Sequence, residues 1–150
     1  MNDPATTAGP ATTADRATLL AVARSVPDPE LPVLTLGDLG VIRDVRLTGD
    51  GTVEIDLTPT YTGCPAMAVI ADDVRDALRQ AGADQVRIRT VLAPAWTTDW
   101  MSETGRRKLR EYGIAPPGPV GGPVRLTFSV RCPHCGSPDT QEVSRFGSTP

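Results

Sequence analysis

The segment Thr58-Pro-Thr-Tyr-Thr-Gly-Cys-Pro65 places a thiol between the end of one apolar run and the start of an amphipathic one. A thiolate is both a nucleophile and a soft-metal ligand. It forms most readily at a helix N-terminus, where unpaired N–H groups and the helix dipole favour negative sulfur. Pro65 suits a first helical position, because no backbone donor is needed there. Cys64 therefore reads either as a reactive, metal-contacting thiol or as a small buried cysteine closing a strand-to-helix turn. No histidine flanks it to act as a base, since His134 is the one His of the chain.

Asp28, Glu30 and Asp38 form a second group, within Val26-Pro-Asp-Pro-Glu-Leu-Pro-Val-Leu-Thr-Leu-Gly-Asp-Leu-Gly40. Prolines restrict this loop and glycines permit tight turns, so it could hold carboxylates close to the Cys64 turn. The local alternative is that Asp28 caps a turn and Glu30 is solvated. Spacing leaves both open.

Cys132-Pro-His-Cys-Gly136 has the form of a zinc knuckle, in which two thiolates two residues apart grip one side of a tetrahedral ion. A structural zinc site needs a second pair, and none follows before Pro150. Cys64 with His134 is a poor substitute, so the expectation is half of a zinc ribbon, cut short. A redox Cys-x-x-Cys is the alternative, although the pair follows a linker and a strand rather than opening a helix. Trp96 and Trp100 lie in Pro94-Ala-Trp-Thr-Thr-Asp-Trp-Met-Ser102 and are either partner-docking anchors or core packing that fixes the entry of the last helix. Arg106-Arg-Lys-Leu-Arg110 reads as a solvated helix face, because Glu103 and Glu111 flank it.

A short series of elements must position these groups. Leu19, Val22, Ala23 and Val26 recur at helical spacing behind Asp15 as N-cap, until Pro27-Asp28-Pro29 stops the pattern. Val41–Leu47 and Val53–Leu57 are strand-like, joined by the hairpin turn Thr48-Gly-Asp-Gly-Thr52. From Cys64 to Ala81, Met67, Ile70, Val74, Ala77, Leu78 and Ala81 share one helical face, and Gly82 supplies the stop. Val86–Val91 is a third strand, and Ser102–Tyr112 a further helix in which Glu103 is spaced to meet Arg106 or Arg107. The expected fold class is α/β (α+β), in the order α-β-β-α-β-α. Residues 1–14 read as a disordered tail, 15–114 as the main domain, 115–123 as a Pro/Gly linker, and 124–150 as the partial ribbon, opening with a strand over Val124–Val130.

With 150 residues, 14 Gly and 15 Pro, the chain is too short for two large domains and too interrupted for one long helical bundle. Fifteen Lys and Arg against 18 Asp and Glu give a net charge of −3, which offers no footprint for nucleic acid or an anionic membrane. No run resembles a membrane span or an export signal. Three cysteines make a disulfide framework unsuitable, and a reducing, cytoplasmic setting fits. The sequence also lacks the paired Glu-x-x-His motif of a di-iron site and the glycine pattern of a dinucleotide fold.

Five stretches taken together resemble a known family: Asp28-Pro-Glu-Leu-Pro-Val-Leu with Leu39-Gly-Val-Ile, Pro59–Met67, Pro94–Met101, Gly105–Pro117, and Cys132-Pro-His-Cys-Gly-Ser with Phe146-Gly-Ser-Thr. They are similar to PaaD, the D subunits of bacterial phenylacetyl-CoA epoxidase systems, over residues 16–149. The N-terminal part resembles the wider family of metal–sulfur cluster assembly proteins, small α/β domains. The resemblance implies that Cys64 is the reactive or cluster-contacting thiol, with Asp28, Glu30 and Asp38 beside it and a transient iron–sulfur cluster or iron as what it handles. It implies zinc at Cys132 and Cys135 when a second pair of cysteines is present. The implied function is an accessory subunit in aerobic phenylacetate breakdown, not itself catalytic, assisting assembly of the iron–sulfur or other metal centre of the reductase or oxygenase subunits. The alternative is a structural component that docks through Trp96, Trp100 and the ribbon, and a homodimer is a further candidate arrangement.

Overall fold

The computed structural model describes residues 14–121 and 131–141. α1 (Arg16–Ser25) begins where the Asp15 carboxylate accepts from the Thr18 amide at 2.8 Å. It buries Leu19 and Ala23 completely. After the proline-rich loop a single turn, α2 (Leu36–Leu39), leads into β1 (Ile42–Leu47), which pairs antiparallel with β2 (Thr52–Leu57). α3 (Met67–Gln80) then crosses over to β3 (Gln85–Thr90), which lies parallel to β2 with Thr52 opposite Gln85 and Leu57 opposite Thr90. A 3₁₀ turn (Thr98–Trp100) introduces α4 (Glu103–Glu111). The sheet order is β1-β2-β3.

Strand alternation decides the two faces. Val45, Val53, Ile55 and Leu57 are fully buried beneath Leu19, Ala23, Val74 and Leu78 of α1 and α3. A buried side chain of this size contributes about 1.5–3 kcal/mol relative to exposure, so this face dominates the fold's stability. The opposite face carries Arg46 between Asp44 and Asp56 at 2.9 Å each, and Arg87 on Glu54 at 2.8 Å. α3 ends in paired bonds, Ala83 N–H to Leu78 O and Gly82 N–H to Arg79 O, both 3.0 Å, as the glycine stop predicts.

The expected helices and strands of the main domain are present, with three differences. α3 starts at Met67 rather than Cys64. α2 and the 3₁₀ turn, too short for periodicity to show, were not expected. Glu103 meets Arg110 at 3.1 Å instead of Arg106 or Arg107. Arg106 is drawn off to the carbonyls of Thr98 and Pro117, and Arg107 faces Glu111 at 3.8 Å. The expected strand over 124–130 and the tail over 1–13 lie outside the described residues.

Candidate functional site

At the C-terminal end of β2, Thr58 N–H bonds to Val41 O at 2.9 Å, and Val91 N–H bonds to Leu57 O at 2.7 Å. These bonds fix the strand end from which the cysteine segment departs. The chain passes through buried Pro59 into a turn over Tyr61–Cys64, in which Gly63 has φ +84°. Glycine is the residue that adopts this backbone without strain. A second turn closes with Met67 N–H on Cys64 O at 3.3 Å, and the first i to i−4 bond of α3 is Ile70 N–H to Ala66 O at 2.9 Å. The half-buried thiol therefore lies one turn ahead of the helix. This corrects the expectation that Cys64 and Pro65 open α3: the Met67 amide reaches only the i−3 carbonyl, so residues 64–66 form a turn.

Cys64 borders a chamber of about 20 Å³ whose wall includes Asp28, Glu30, Leu39, Thr58 and Ile70. That is room for about one water-sized atom. Thr58 is 1% exposed, and its Oγ1 has no hydrogen-bond partner among the described residues. Burying a hydroxyl without a partner costs about 1–3 kcal/mol, so this group is one the fold does not use for itself. Asp28 serves two purposes. Its Oδ1 accepts from the amides of Glu30 and Leu31 at 3.0 and 2.7 Å, shaping the loop, while the residue lines the chamber.

Tyr61, in the same turn, is half exposed. The Cys64 side chain, reinforced by desolvation and by the charges of Cys64 and Glu30, pushes its phenol above the ordinary value. The chamber is thus lined by residues that carry a soft sulfur, Cys64, two carboxylates, Asp28 and Glu30, and the Thr58 hydroxyl. Among the described residues, no three His, Cys, Asp or Glu side chains converge to ligate a metal.

Asp38 does not belong to this group, which corrects its expected place. It is buried beneath α4. Its Oδ2 accepts from the Thr35 amide at 3.1 Å and from Lys108 Nζ at 2.6 Å, and its Oδ1 accepts from Ser102 Oγ at 3.0 Å. With Thr35 it forms a reciprocal capping box on α2. Burial alone raises the Asp38 carboxyl, but Lys108 and the Thr35 and Ser102 donors outweigh it and hold the group below the ordinary range. Gly105 of α4 lies so close that a Cβ there would meet the Asp38 Cβ at 3.0 Å.

Trp96 is turned inward, with its indole N–H on Leu39 O at 2.8 Å. Trp100 lies under the Arg43 guanidinium, 3.6 Å from the ring centroid, on an open groove of about 850 Å³. Of the two, Trp100 lines this groove, while Trp96, partly buried, packs against the core. In the second module, Gly136 N–H bonds to Cys132 O at 2.8 Å and Cys132 N–H to Ser137 O at 2.9 Å. The amides of Cys135 and His134 point at the Cys132 sulfur and lower its thiol below the ordinary value. This loop fits two corners of a tetrahedral zinc site, where Cys132 and Cys135 would hold the metal and the metal would brace the fold.

Sequence reasoning passed over Thr58, Tyr61 and Lys108. For the first two a signal existed, a Thr at a strand's end and a Tyr three residues from the thiol across a glycine. Nothing in the spacing of Lys108 points to Asp38, seventy residues away.

Comparison with known proteins agrees with this fold. The iron–sulfur cluster assembly protein family matches residues 16–89, and the PaaD zinc β ribbon domain matches residues 117–150. The chain is 47% identical over 129 residues to the Escherichia coli protein named as the D subunit of a 1,2-phenylacetyl-CoA epoxidase, covering 86% of this chain and 78% of that one. It is 39% identical to an Fe-S protein maturation auxiliary factor of Porphyromonas gingivalis, covering 57% of this chain and 82% of that one. A crystal structure of a DUF59 domain from Bacillus anthracis superposes with a TM-score of 0.58 at 28% identity, covering 63% of this chain and 90% of that one. The chain accordingly belongs to the iron–sulfur cluster assembly protein family, and the stretch behind that domain matches the PaaD zinc β ribbon.

Proposed function

We propose that the protein is an accessory maturation factor that receives iron or an iron–sulfur cluster transiently at Cys64 and passes it to the reductase or oxygenase subunits of a phenylacetyl-CoA epoxidase. The observation that carries this reading is the pairing of the half-buried Cys64 thiol with the buried, unpartnered Thr58 hydroxyl on one single-atom chamber. A soft sulfur suits iron, and Asp28 and Glu30 add hard oxygen donors nearby. Because no three His, Cys, Asp or Glu side chains among the described residues converge on a metal position, the remaining coordination comes from the donor or the recipient, as a carrier requires. A chamber of this size excludes a whole cluster, so the cargo meets Cys64 at the mouth with one atom inward.

The test is iron and sulfide content after anaerobic loading of the full chain beside Cys64→Ser, together with cluster content of the reductase in cells carrying each. Loss of both with Cys64→Ser supports transfer through this thiol. Unchanged loading and unchanged reductase clusters overturn it. A second reading, a docking component without metal transfer, draws on Trp100 and Arg43 at the open groove. Stoichiometric co-purification with the oxygenase that is lost on Trp100→Ala, with cluster content untouched, would favour it.

A further inference from the structure

The basic side chains of the domain are matched almost throughout. Among the described residues every Lys and Arg but two has a carboxylate or a main-chain carbonyl as partner, down to Arg106 on the carbonyls of Thr98 and Pro117 and Arg131 on that of Gly136. The exceptions are Arg24, in the last turn of α1, and Arg43, in β1. Both are exposed, and both line the open groove of about 850 Å³ that Trp100 borders. The end of α1 favours a base such as Arg24, which accounts for its type but leaves its donors without an acceptor.

The groove holds these two charges in place. Gly37 and Gly40 line it, and each is pressed against a neighbour. A Cβ on Gly37 would meet the Arg24 Cβ at 2.8 Å, and one on Gly40 would meet the Trp100 carbonyl oxygen at 2.4 Å. Asp38, the carboxylate that lines the groove, is already taken by Lys108 at 2.6 Å, so the two arginines leave the groove positive. The Arg43 guanidinium lies 3.6 Å from the centroid of the Trp100 ring. Stacking of this kind orients a planar fork and leaves its N–H edge for a carboxylate.

We infer that this groove docks an acidic segment of a partner protein, whose carboxylates pair with Arg24 and Arg43 while an apolar side chain of the segment lies against Trp100. Trp and Arg together are the side chains on which protein interfaces most often depend. The inference deepens the docking reading by naming the chemistry of the partner, and it holds whatever Cys64 carries. The volume of the groove falls among sites of about 300–1,000 Å³ that take drug-sized occupants, so it calls for a segment rather than a lone inorganic anion. The stretches of this chain outside the described residues do not supply one: residues 1–13 carry one Asp, 122–130 one Arg and no acid, and 142–150 one Glu and one Arg. A second copy would offer Asp72 and Asp76 of α3, but these are held by Arg75 and Arg79.

The probe is a fluorescein-labelled peptide of alternating Glu and Leu, read by anisotropy against the full chain beside the same peptide with Gln for Glu. The Glu peptide is expected to bind at least tenfold more tightly than the Gln peptide, and to weaken as salt rises. Arg24→Glu/Arg43→Glu is expected to lose at least tenfold, whereas Arg75→Glu/Arg79→Glu, with the same change in net charge, should stay within twofold. Arg43→Lys should fall between, because it keeps the charge and loses the stacked fork. Urea midpoints of the variants confirm the fold. No preference for the Glu peptide overturns the proposal, as do equal losses in the two double variants. Full displacement by equimolar inorganic phosphate would give the groove to a small anion, and a dimer that dissociates on Arg24→Glu/Arg43→Glu would give it to a second copy; either overturns the proposal. If co-purification with the oxygenase is lost on Trp100→Ala but the peptide shows no acid dependence, the docking reading stands and this inference fails. If acid-dependent binding is found without co-purification, the docking reading of the oxygenase fails and the groove's chemistry stands.

Discussion

The Asp38 cluster gives the sharpest contrast between a ligand and a structural carboxylate. Asp38→Ala removes at one stroke the acceptor of the Thr35 amide, the Ser102 hydroxyl and the Lys108 ammonium. Breaking a buried ion pair costs about 3–5 kcal/mol, and because the Lys108 side chain is 33% exposed, solvent screening places the expected loss near the lower end, about 3 kcal/mol. For a domain of roughly 100 residues, that lowers Tm by about 12–24 °C. Asp38→Asn keeps an oxygen for the cap but loses the charge, and is expected to cost about 1–2 kcal/mol. The assay is urea unfolding with constant m, run as a double-mutant cycle with Lys108→Met, where the coupling should be about 1 kcal/mol. The pH dependence follows in sign. A carboxyl held below its ordinary value of 3.8 stabilises the fold fully above that pH and loses this contribution as pH falls through its lower folded value. The gap between the native chain and Asp38→Ala should therefore close in acid. A loss under about 1 kcal/mol at neutral pH would refute the structural role, as would a gap that persists unchanged in acid, while iron loading impaired without any loss of stability would return Asp38 to the cysteine site.

Three further outcomes follow from the same geometry. Gly40→Ala should cost about 2–4 kcal/mol in urea or thermal unfolding, because Gly40 has φ +71° and a Cβ there would lie 2.4 Å from the Trp100 carbonyl oxygen. Thr58→Val should leave stability within about 1 kcal/mol, since the hydroxyl it removes has no partner among the described residues, yet should weaken iron retention where Thr58→Ser does not. Cys132→Ser should leave thermal unfolding of the N-terminal domain unchanged while lowering zinc uptake, as measured by metal analysis of the two chains after zinc loading.

How far the sequence reaches can be judged residue by residue. Asp15, the alternating Val53-Glu54-Ile55-Asp56-Leu57 and the stripe from Met67 to Leu78 announce their elements, because caps, two-residue alternation and helical spacing are local properties. The same locality fails at α2, where four residues are too few for a period, and at Glu103, whose choice among Arg106, Arg107 and Arg110 depends on carbonyls at Thr98 and Pro117. It fails also at Cys64, where the turn that delays α3 by three residues is decided by which carbonyl the Met67 amide can reach.

The sequence by itself determined the α-β-β-α-β-α order of the main domain, the thiol and its neighbouring acids as candidates, and the family resemblance, all of which are carried by residue types at short spacing. Only the tertiary structure separated Asp38 from Asp28 and Glu30, packed Trp96 against the core, and placed the Thr58 hydroxyl, without a partner among the described residues, in the chamber that Cys64 borders. The reason is that a carboxylate or hydroxyl takes its role from the donors and charges that packing brings within hydrogen-bond reach, and those come from residues far along the chain.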